Sequence, residues 1–179
     1  MKFSDWLLMT IREDEALGNW LEEIRFDITQ VTKEALKKIE TGVSVIVVTD
    51  DGRDWFSEYI TQTINKKIDR PLLPFIKFES MIRNPLLLNS NEGMELIKDM
   101  LSIAFPNGFI FWYIGISNTR KATLAKNTPG SYNWIMDEEF AGSIYFSSKD
   151  HLLDLKLIQF FKLFDQSISA TIYGELTFT

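Results

Sequence analysis

The chain contains no cysteine and only one histidine, His151, among its 179 residues. The absence of cysteine excludes disulfide bonds, thiolate metal sites and a cysteine nucleophile. A single histidine without cysteine cannot complete a zinc site or a catalytic triad, and His151 fits a surface position at the start of a helix. The acidic run at 137–139 could bind a hard cation, although consecutive acids in a loop are more often simply solvated. We therefore expect no catalytic residue, no metal site and no cofactor.

The sequence also lacks a long apolar run and an excess of positive charge. No apolar run approaches the roughly 20 residues that cross a bilayer, and the N-terminus has no secretory signal pattern. We expect one cytoplasmic domain spanning residues 1–179. Residues 1–60 contain 13 acidic and 7 basic side chains, whereas residues 61–179 contain 12 of each. Because phosphate neutralisation supplies most nonspecific affinity for DNA, this distribution argues against direct nucleic-acid binding. It suits either a basic protein partner or a solvated surface.

One short apolar run organises the predicted fold. Residues 43–48 include five β-branched aliphatic side chains in six positions, which is typical of an inner parallel strand covered on both faces. A polar turn with Gly52 follows, and then a helical pattern over about 54–66. Strand, tight turn and helix indicate a three-layer, doubly wound α/β domain, in which ligands bind at the carboxyl ends of the strands.

The other elements follow from hydrophobic periodicity and from turn residues. We predict helices at 2–14, 21–40, 92–104, a short one ending near 126, and 150–173, with strands at 72–78, 109–116, 132–136 and 142–146. The last of these strands is expected at a sheet edge. Two helices ahead of the first strand exceed what the sheet needs for cover, and the apolar arc of the last helix is unusually wide. Both features favour packing against other subunits.

The turn after the first strand is a poor phosphate cradle. Residues 49–54 contain only one glycine, whereas a phosphate-binding loop needs several small residues so that its backbone N–H groups converge on the anion. They also contain three carboxylates and one guanidinium, and carboxylates repel a phosphate. Asp50 or Asp51 fits better as the N-cap of the next helix. At the second strand-to-helix turn, Ser117 and Thr119 could hold phosphate oxygens, but capping also explains them. An alternative function, a phosphosugar-binding isomerase or sensor, would use these two residues and Arg53.

Phe26 does not fit the apolar stripe of its predicted helix and lies among charged side chains. It is either a contact point for another chain or a single exposed apolar residue that needs no explanation. Aromatic residues and arginine tend to anchor interfaces. The candidate partner-binding patch therefore comprises Trp20, Glu22, Glu23, Arg25 and Phe26. A second candidate is the C-terminal tail with Tyr173, Leu176 and Phe178, for which packing of a chain end is the simpler interpretation.

In order and length, nearly the whole chain resembles the HobA family of epsilonproteobacteria. Residues 42–56, 70–73 and 152–164 carry the resemblance, and residues 18–22 fit the same register. The family binds the replication initiator DnaA and is similar in fold to DiaA and to sugar isomerase (SIS) domains. The resemblance implies a five-stranded parallel, Rossmann-like sheet and a homotetramer. It further implies non-enzymatic binding of the DnaA N-terminal domain, which promotes initiator assembly at the origin. The aspartate-rich first turn departs from the Ser/Thr/Gly-rich turns of SIS enzymes, which argues against sugar-phosphate binding.

Overall fold

A computed structural model describes residues 1–178. Within them the strands are β1 (Ser44–Thr49), β2 (Phe75–Lys77), β3 (Phe109–Ile116), β4 (Tyr132–Met136) and β5 (Ser143–Phe146). The α-helices are α1 (Phe3–Glu13), α2 (Trp20–Glu23), α3 (Arg25–Glu40), α4 (Asp54–Thr63), α5 (Phe78–Met81), α6 (Asn91–Ala104), α7 (Arg120–Lys126) and α8 (Leu153–Ile172). Short 3-10 segments occupy Glu15–Leu17, Asp51–Arg53 and Pro85–Asn89.

The five strands form one parallel sheet in the order β2-β1-β3-β4-β5. This arrangement confirms the predicted doubly wound α/β fold with five parallel strands. It also places β5 at an edge of the sheet, as the sequence predicts. Every residue of β1 is buried, which explains why its sequence is a continuous apolar run rather than an alternation of apolar and polar residues.

Side chains of the strands alternate between two cores, one on each face of the sheet. In β3, Ile110, Trp112 and Ile114 belong to the core that α1, α3, α4 and α8 complete. Phe111 and Tyr113 belong to the core that α5, α6 and α7 complete. All five side chains are at most 3% exposed. The three-layer architecture therefore follows from the burial of both faces.

The apolar arc of α8 is covered by the rest of the chain, whereas Leu155 on its outer side is 50% exposed. The Phe160 ring stacks on Trp134 with 4.2 Å between centroids, and Phe164 meets Trp112 edge-on at 5.1 Å. The helix α3 and the segment Glu15–Leu17 pack on α8. The expectation that another subunit buries part of its apolar arc is wrong, because the N-terminal segment supplies that cover. Among residues 1–178, neither α8 nor another helix is long and apolar enough to cross a membrane.

The second strand is shorter than the predicted span of 72–78. The side chain of Asn65 accepts the N–H of Leu73 and donates to its carbonyl, both at 2.8 Å. The backbone of Leu73 therefore bonds to a side chain instead of a neighbouring strand, and Leu72 is exposed. Only Phe75–Lys77 pairs with β1, after which α5 begins. An apolar pattern cannot reveal that a preceding asparagine replaces a strand partner.

The predicted helix over 21–40 is interrupted near its start. Ile24 has φ −99° and ψ 11°, which separates α2 from α3. The remainder, Arg25–Glu40, is continuous, and it is followed by Thr41 at the C-cap and by Gly42, which has φ +84°. Gly42 therefore serves as the left-handed cap of α3.

Gly93 allows α6 to pack closely on the Pro85–Asn89 segment. A Cβ at this position would lie 2.0 Å from the carbonyl oxygen of Leu87. We expect Gly93→Ala to lower the free energy of unfolding by about 1–3 kcal/mol, the usual cost of overpacking, in urea denaturation followed by circular dichroism. Gly52→Ala is the matched control, because its Cβ would meet only the Asp50 carboxylate at 3.5 Å. Equal stability of the two variants would contradict this close packing.

Candidate functional site

A crevice opens at the carboxyl ends of the central strands. In the order β2-β1-β3-β4-β5, the chain leaves β1 toward β2 and leaves β3 toward β4, in opposite directions. The space between the ends of β1 and β3 is therefore the switch point where open α/β sheets bind ligands. The cavity has a volume of about 720 Å³, within the range of about 300–1,000 Å³ that is usual for small-molecule sites. It is lined by Asp50, Asp51, Phe78, Glu79, Ile82, Arg83, Pro85, Leu88, Asn89, Thr119, Arg120 and Lys121.

The carboxylate of Asp50 at the sheet end of the crevice accepts three hydrogen bonds from within the chain. Arg53 Nη1 donates to both of its oxygens, at 2.8 and 2.6 Å, and the backbone N–H of Ile116 donates to Oδ2 at 2.7 Å. Gly115 makes room for it, because a Cβ there would lie 2.6 Å from Asp50 Oδ2. Asp50 holds the N-cap position of the 3-10 turn Asp51–Arg53 that leads into α4, but its carboxylate makes no capping hydrogen bond, and Arg53 holds the N-cap position of α4 itself. Asp50 instead joins the ends of β1 and β3.

Thr119 has its hydrogen bonds within the chain. Its Oγ1 accepts the N–H of Ala122 at 3.0 Å, which confirms its predicted capping role, and it is bonded to the Tyr113 hydroxyl at 2.8 Å. Burial raises the pKa of that Tyr113 hydroxyl well above its usual range, so it stays neutral. Of Arg53, Ser117 and Thr119, which the alternative function would use to hold a phosphosugar, only Thr119 lines the crevice.

The amine of Lys121 lies between two carboxylates of the crevice. Its Nζ is 2.7 Å from Glu79 Oε1 and 3.3 Å from Asp51 Oδ1. Burial lowers the pKa of Lys121, but the hydrogen bonds and charges of Glu79 and Asp51 outweigh it and raise the pKa above its ordinary value. Lys121 is therefore charged and joins the carboxylates of Glu79 and Asp51. Within residues 1–178, no three His, Asp or Glu side chains converge as a metal site.

The second candidate site is the outer surface of α2 and α3, which we call the α2–α3 surface: Glu22, Glu23, Arg25 and Phe26. The Phe26 side chain is 63% exposed, as its position off the apolar stripe predicts. The Arg25 guanidinium lies over its ring at 4.3 Å from the centroid, and Arg25 Nη1 donates to the Glu22 carbonyl at 3.2 Å. Arg25 and Phe26 thus form an ordered cation–π pair that projects from the fold.

Acidic side chains flank this pair. Glu22 is held by Arg12 at 2.6 Å, and the hydrogen bond from Arg12 lowers the pKa of the Glu22 carboxyl. Glu23 and Asp27 are exposed. The α2–α3 surface therefore combines one aromatic ring and one guanidinium with a fringe of carboxylates, a composition suited to a partner with complementary basic groups.

Trp20 is oriented away from this surface. Its Nε1 donates to Gln159 Oε1 at 2.8 Å, and its ring meets Phe146 and Phe160 edge-on at 6.1 and 6.5 Å. The half-buried indole of Trp20 thus packs α2 against α8 and β5. A partner contact by Trp20 stays a prediction, but most of the ring is already used within the chain.

The C-terminal tail packs mainly against the N-terminus. Leu176 is 8% exposed, and the half-buried Phe178 meets the Phe3 ring at 5.9 Å. Tyr173 is 47% exposed, and its hydroxyl donates to the carbonyl of Asp69 at 2.5 Å. Of the three tail residues, Tyr173 therefore offers the largest free surface, and partner binding by all three stays a prediction.

Sequence reasoning missed a neighbouring shallow cavity between α3 and β5. It has a volume of about 530 Å³ and is lined by Asp27, Glu139, Phe140, Ala141, Ser143 and Tyr145. Tyr145 is 51% exposed, whereas its neighbours Ile144 and Phe146 are buried. That alternation in an edge strand is the signal that could have indicated an outward-facing tyrosine. Because Asp27 follows Phe26 directly, this cavity extends the α2–α3 surface toward the edge of the sheet.

Comparison with known proteins gives one consistent result. Residues 1–178 match the family model described as HobA, a DNA replication regulator. The DNA replication regulator protein HobA of Helicobacter pylori is 28% identical over 182 residues, which cover 98% of each protein. A chain in the crystal structure of a HobA–DnaA (domain I–II) complex from H. pylori matches with a TM-score of 0.76, covering 99% of both chains. The crystal structure of H. pylori HobA matches with a TM-score of 0.75, covering 99% of this chain and 98% of that one. Both structures are 26% identical to the present sequence.

Proposed function

Because this chain belongs to the HobA family of DNA replication regulators, we propose that it binds the N-terminal domain of the initiator DnaA. The observation that carries this proposal is the match, over 99% of the chain, to a structure of a HobA–DnaA (domain I–II) complex. In this proposal the protein is a cytoplasmic, non-enzymatic scaffold that promotes assembly of the initiator at the origin. It contacts the initiator rather than the nucleic acid.

The scaffold acts through multivalency. A symmetric oligomer presents one equivalent site per subunit, so several initiator molecules are held close together. Each binding event then raises the local concentration of the next initiator without a new contact between initiators. A homotetramer presents four such sites. No bond is made or broken in this mechanism, so it requires neither a catalytic residue nor a cofactor.

The crevice supports a non-catalytic role. Its polar groups at the sheet end, Asp50, Thr119 and Lys121, are already bonded to other groups of the chain. A general base must reach a substrate proton, and an anion cradle needs free N–H groups. These three side chains offer neither without first breaking an internal bond. At the sheet end of the crevice, this geometry disfavours the general base and the phosphate cradle that a phosphosugar isomerase would need there.

The α2–α3 surface is the proposed contact with the initiator. Phe26 is a large exposed aromatic group that Arg25 holds in place, and interface energy concentrates at such aromatic and arginine anchors. The surrounding carboxylates add electrostatic steering toward a basic partner surface. The proposed central contacts are Glu22, Glu23, Arg25 and Phe26. The proposed peripheral contacts are Trp20 and the tail residues Tyr173, Leu176 and Phe178.

A pull-down tests the proposed partner. The immobilised chain is expected to retain the purified DnaA N-terminal domain and to release it in high salt, because the steering charges are exposed. DnaA that lacks this domain is the control and should pass through. Retention of the truncated DnaA, or loss of the isolated domain in low salt, would contradict the proposal.

Self-association is proposed to use the outer face of α6. Leu96, Met100 and Ile103 follow one line of this helix and are 48%, 38% and 82% exposed. On the other side of the helix, Met94 and Leu101 are buried in the core. A row of exposed apolar residues opposite the core-facing side is typical of a subunit interface. The arc of α8 is closed by the chain itself, so α6 is the helix face that we assign to a second copy.

Substitution on α6 separates this interface from the fold. Met100→Lys combined with Ile103→Lys is expected to reduce the oligomer to smaller species in light scattering, because two buried ammonium groups oppose association. The dissociated double variant should still unfold cooperatively, because both positions are exposed in the single chain. Any decrease in its thermal midpoint of unfolding should then reflect only the lost association between subunits. Ser102→Lys is the control for added charge, because Ser102 is exposed on the same helix but lies about 100° or more around its axis from the three apolar residues. An unchanged mass for the double variant would place the interface elsewhere.

A further inference from the structure

Two arginines on the rim of the central crevice are unpaired. Arg83 and Arg120 are exposed and line the cavity. In the part of the chain that the structure describes, neither forms an ion pair or a side-chain hydrogen bond, whereas Lys121 beside them is held by Glu79 and Asp51. The side-chain amide of Asn89 also lines the cavity and has no hydrogen bond within residues 1–178. The rim therefore offers two guanidinium groups and one amide.

The floor of the crevice is apolar. Phe78, Ile82 and Leu88 line it and are 2%, 8% and 6% exposed. A ligand made mostly of hydroxyl groups would lose its hydration against these side chains without gaining hydrogen bonds. We therefore expect a ligand to place an apolar group against Phe78, Ile82 and Leu88, and to place its polar end against the two arginines and Asn89.

The charges around the crevice set the charge of that polar end. Asp50 and Arg53 neutralise each other. Lys121 with its two carboxylate partners leaves one negative charge, and the two free arginines add two positive charges. The sum is one uncompensated positive charge. A ligand with one carboxylate matches it, whereas a nucleotide with several phosphate charges exceeds it.

We propose that the crevice binds an N-acylated α-amino acid with a large apolar side chain, either as a free molecule or as the last residue of a polypeptide. The side chain packs on Phe78, Ile82 and Leu88. The carboxylate binds Arg83 and Arg120, and the amide N–H donates to the Asn89 side chain. This site is separate from the α2–α3 surface, so it is tested on the chain alone and its failure leaves DnaA binding unaffected.

The probe is N-acetyl-L-phenylalanine, titrated calorimetrically into the full chain. We expect saturable binding, and no binding of N-acetyl-L-phenylalanine amide, which keeps the side chain but lacks the carboxylate. Glucose 6-phosphate should not bind either. An N-acetylated tripeptide that ends in phenylalanine distinguishes the source: tighter binding than the single residue identifies a polypeptide terminus, and equal binding identifies a free small molecule. Both of those results support the site.

Variants localise the binding. Arg83→Gln and Arg120→Gln are each expected to weaken the affinity for N-acetyl-L-phenylalanine about tenfold, because each removes a charged hydrogen bond to its carboxylate. Lys149→Gln, an exposed change that is not among the residues of the crevice, is the control and should bind as the unchanged chain does. Both arginines are exposed, so melting curves should confirm that their variants fold. Failure of the acid to bind, equal binding of acid and amide, or full binding by the double Arg83→Gln, Arg120→Gln variant would overturn the proposal.

Discussion

Phe26→Ala is expected to weaken binding of the DnaA N-terminal domain by roughly thirtyfold, or about 2 kcal/mol, the loss typical of a central aromatic anchor. The ring is 63% exposed in the free chain, so its removal costs little folding stability and the change in affinity reports the interface. It also leaves the Arg25 guanidinium without the face on which it rests. Titration calorimetry with the isolated domain measures the effect directly.

The matched control is Ile68→Ala, which also truncates an exposed apolar side chain. Ile68 is fully exposed in the connection between α4 and β2, outside the α2–α3 surface. We expect its affinity for the initiator domain to equal that of the unchanged chain. If Phe26→Ala also binds normally, the proposed α2–α3 surface is misplaced, although membership of the family still stands.

The second large effect concerns a buried ion pair that anchors the connection between α4 and β2. The Arg70 guanidinium is 1% exposed and pairs with the Asp165 carboxylate on α8. It also donates to the carbonyl of Asp165 at 3.0 Å, to Ser169 Oγ at 2.9 Å and to the carbonyl of Ile64. One side chain thus joins the end of α4 to α8. The Lys67 amine approaches the same carboxylate at 3.0 Å from a more exposed position.

We expect Arg70→Met to lower the free energy of unfolding by about 3–5 kcal/mol, because it leaves the Asp165 carboxylate and two carbonyl groups buried without their main partner. Urea denaturation measures this loss. Lys67→Met is the matched control and should cost at most about 1 kcal/mol, as exposed pairs do. The double variant Arg70→Met, Asp165→Leu should recover much of the stability, since removing both charges is far less costly than leaving one. A stable Arg70→Met single variant would contradict this account.

Much of the fold could be predicted because its signals are local. The continuous apolar runs of β1 and β3 indicate strands that are buried on both faces of the sheet, and Gly42 indicates the end of a helix. The errors arose where distant residues decide the local structure. Asn65 ends the pairing that the apolar pattern of 72–78 suggests, and the N-terminal segment closes the arc of α8 that sequence reasoning assigned to another subunit. Pairing between remote residues has no periodicity to detect.

The features of the candidate sites that depend on nearby residues could also be predicted, whereas those that depend on distant residues could not. Helical geometry alone predicted the exposure of Phe26, because its angle from the apolar stripe depends only on nearby residues. The half-buried position of Trp20 depends on Gln159, 139 residues away in sequence, and no spacing rule indicates that bond. Asp50 was predicted as a helix cap from its place before a helix. Its actual partner, the N–H of Ile116, becomes adjacent only when β3 aligns beside β1.

The central claim is that an oligomer of this chain gathers initiator molecules without chemistry. Light scattering of the chain alone and mixed with the DnaA N-terminal domain tests it most directly. We expect a mass near four times the 20.8 kDa of one chain, and we expect this mass to increase when the domain is added. A 20.8 kDa monomer whose mass stays the same in the presence of the domain would contradict it.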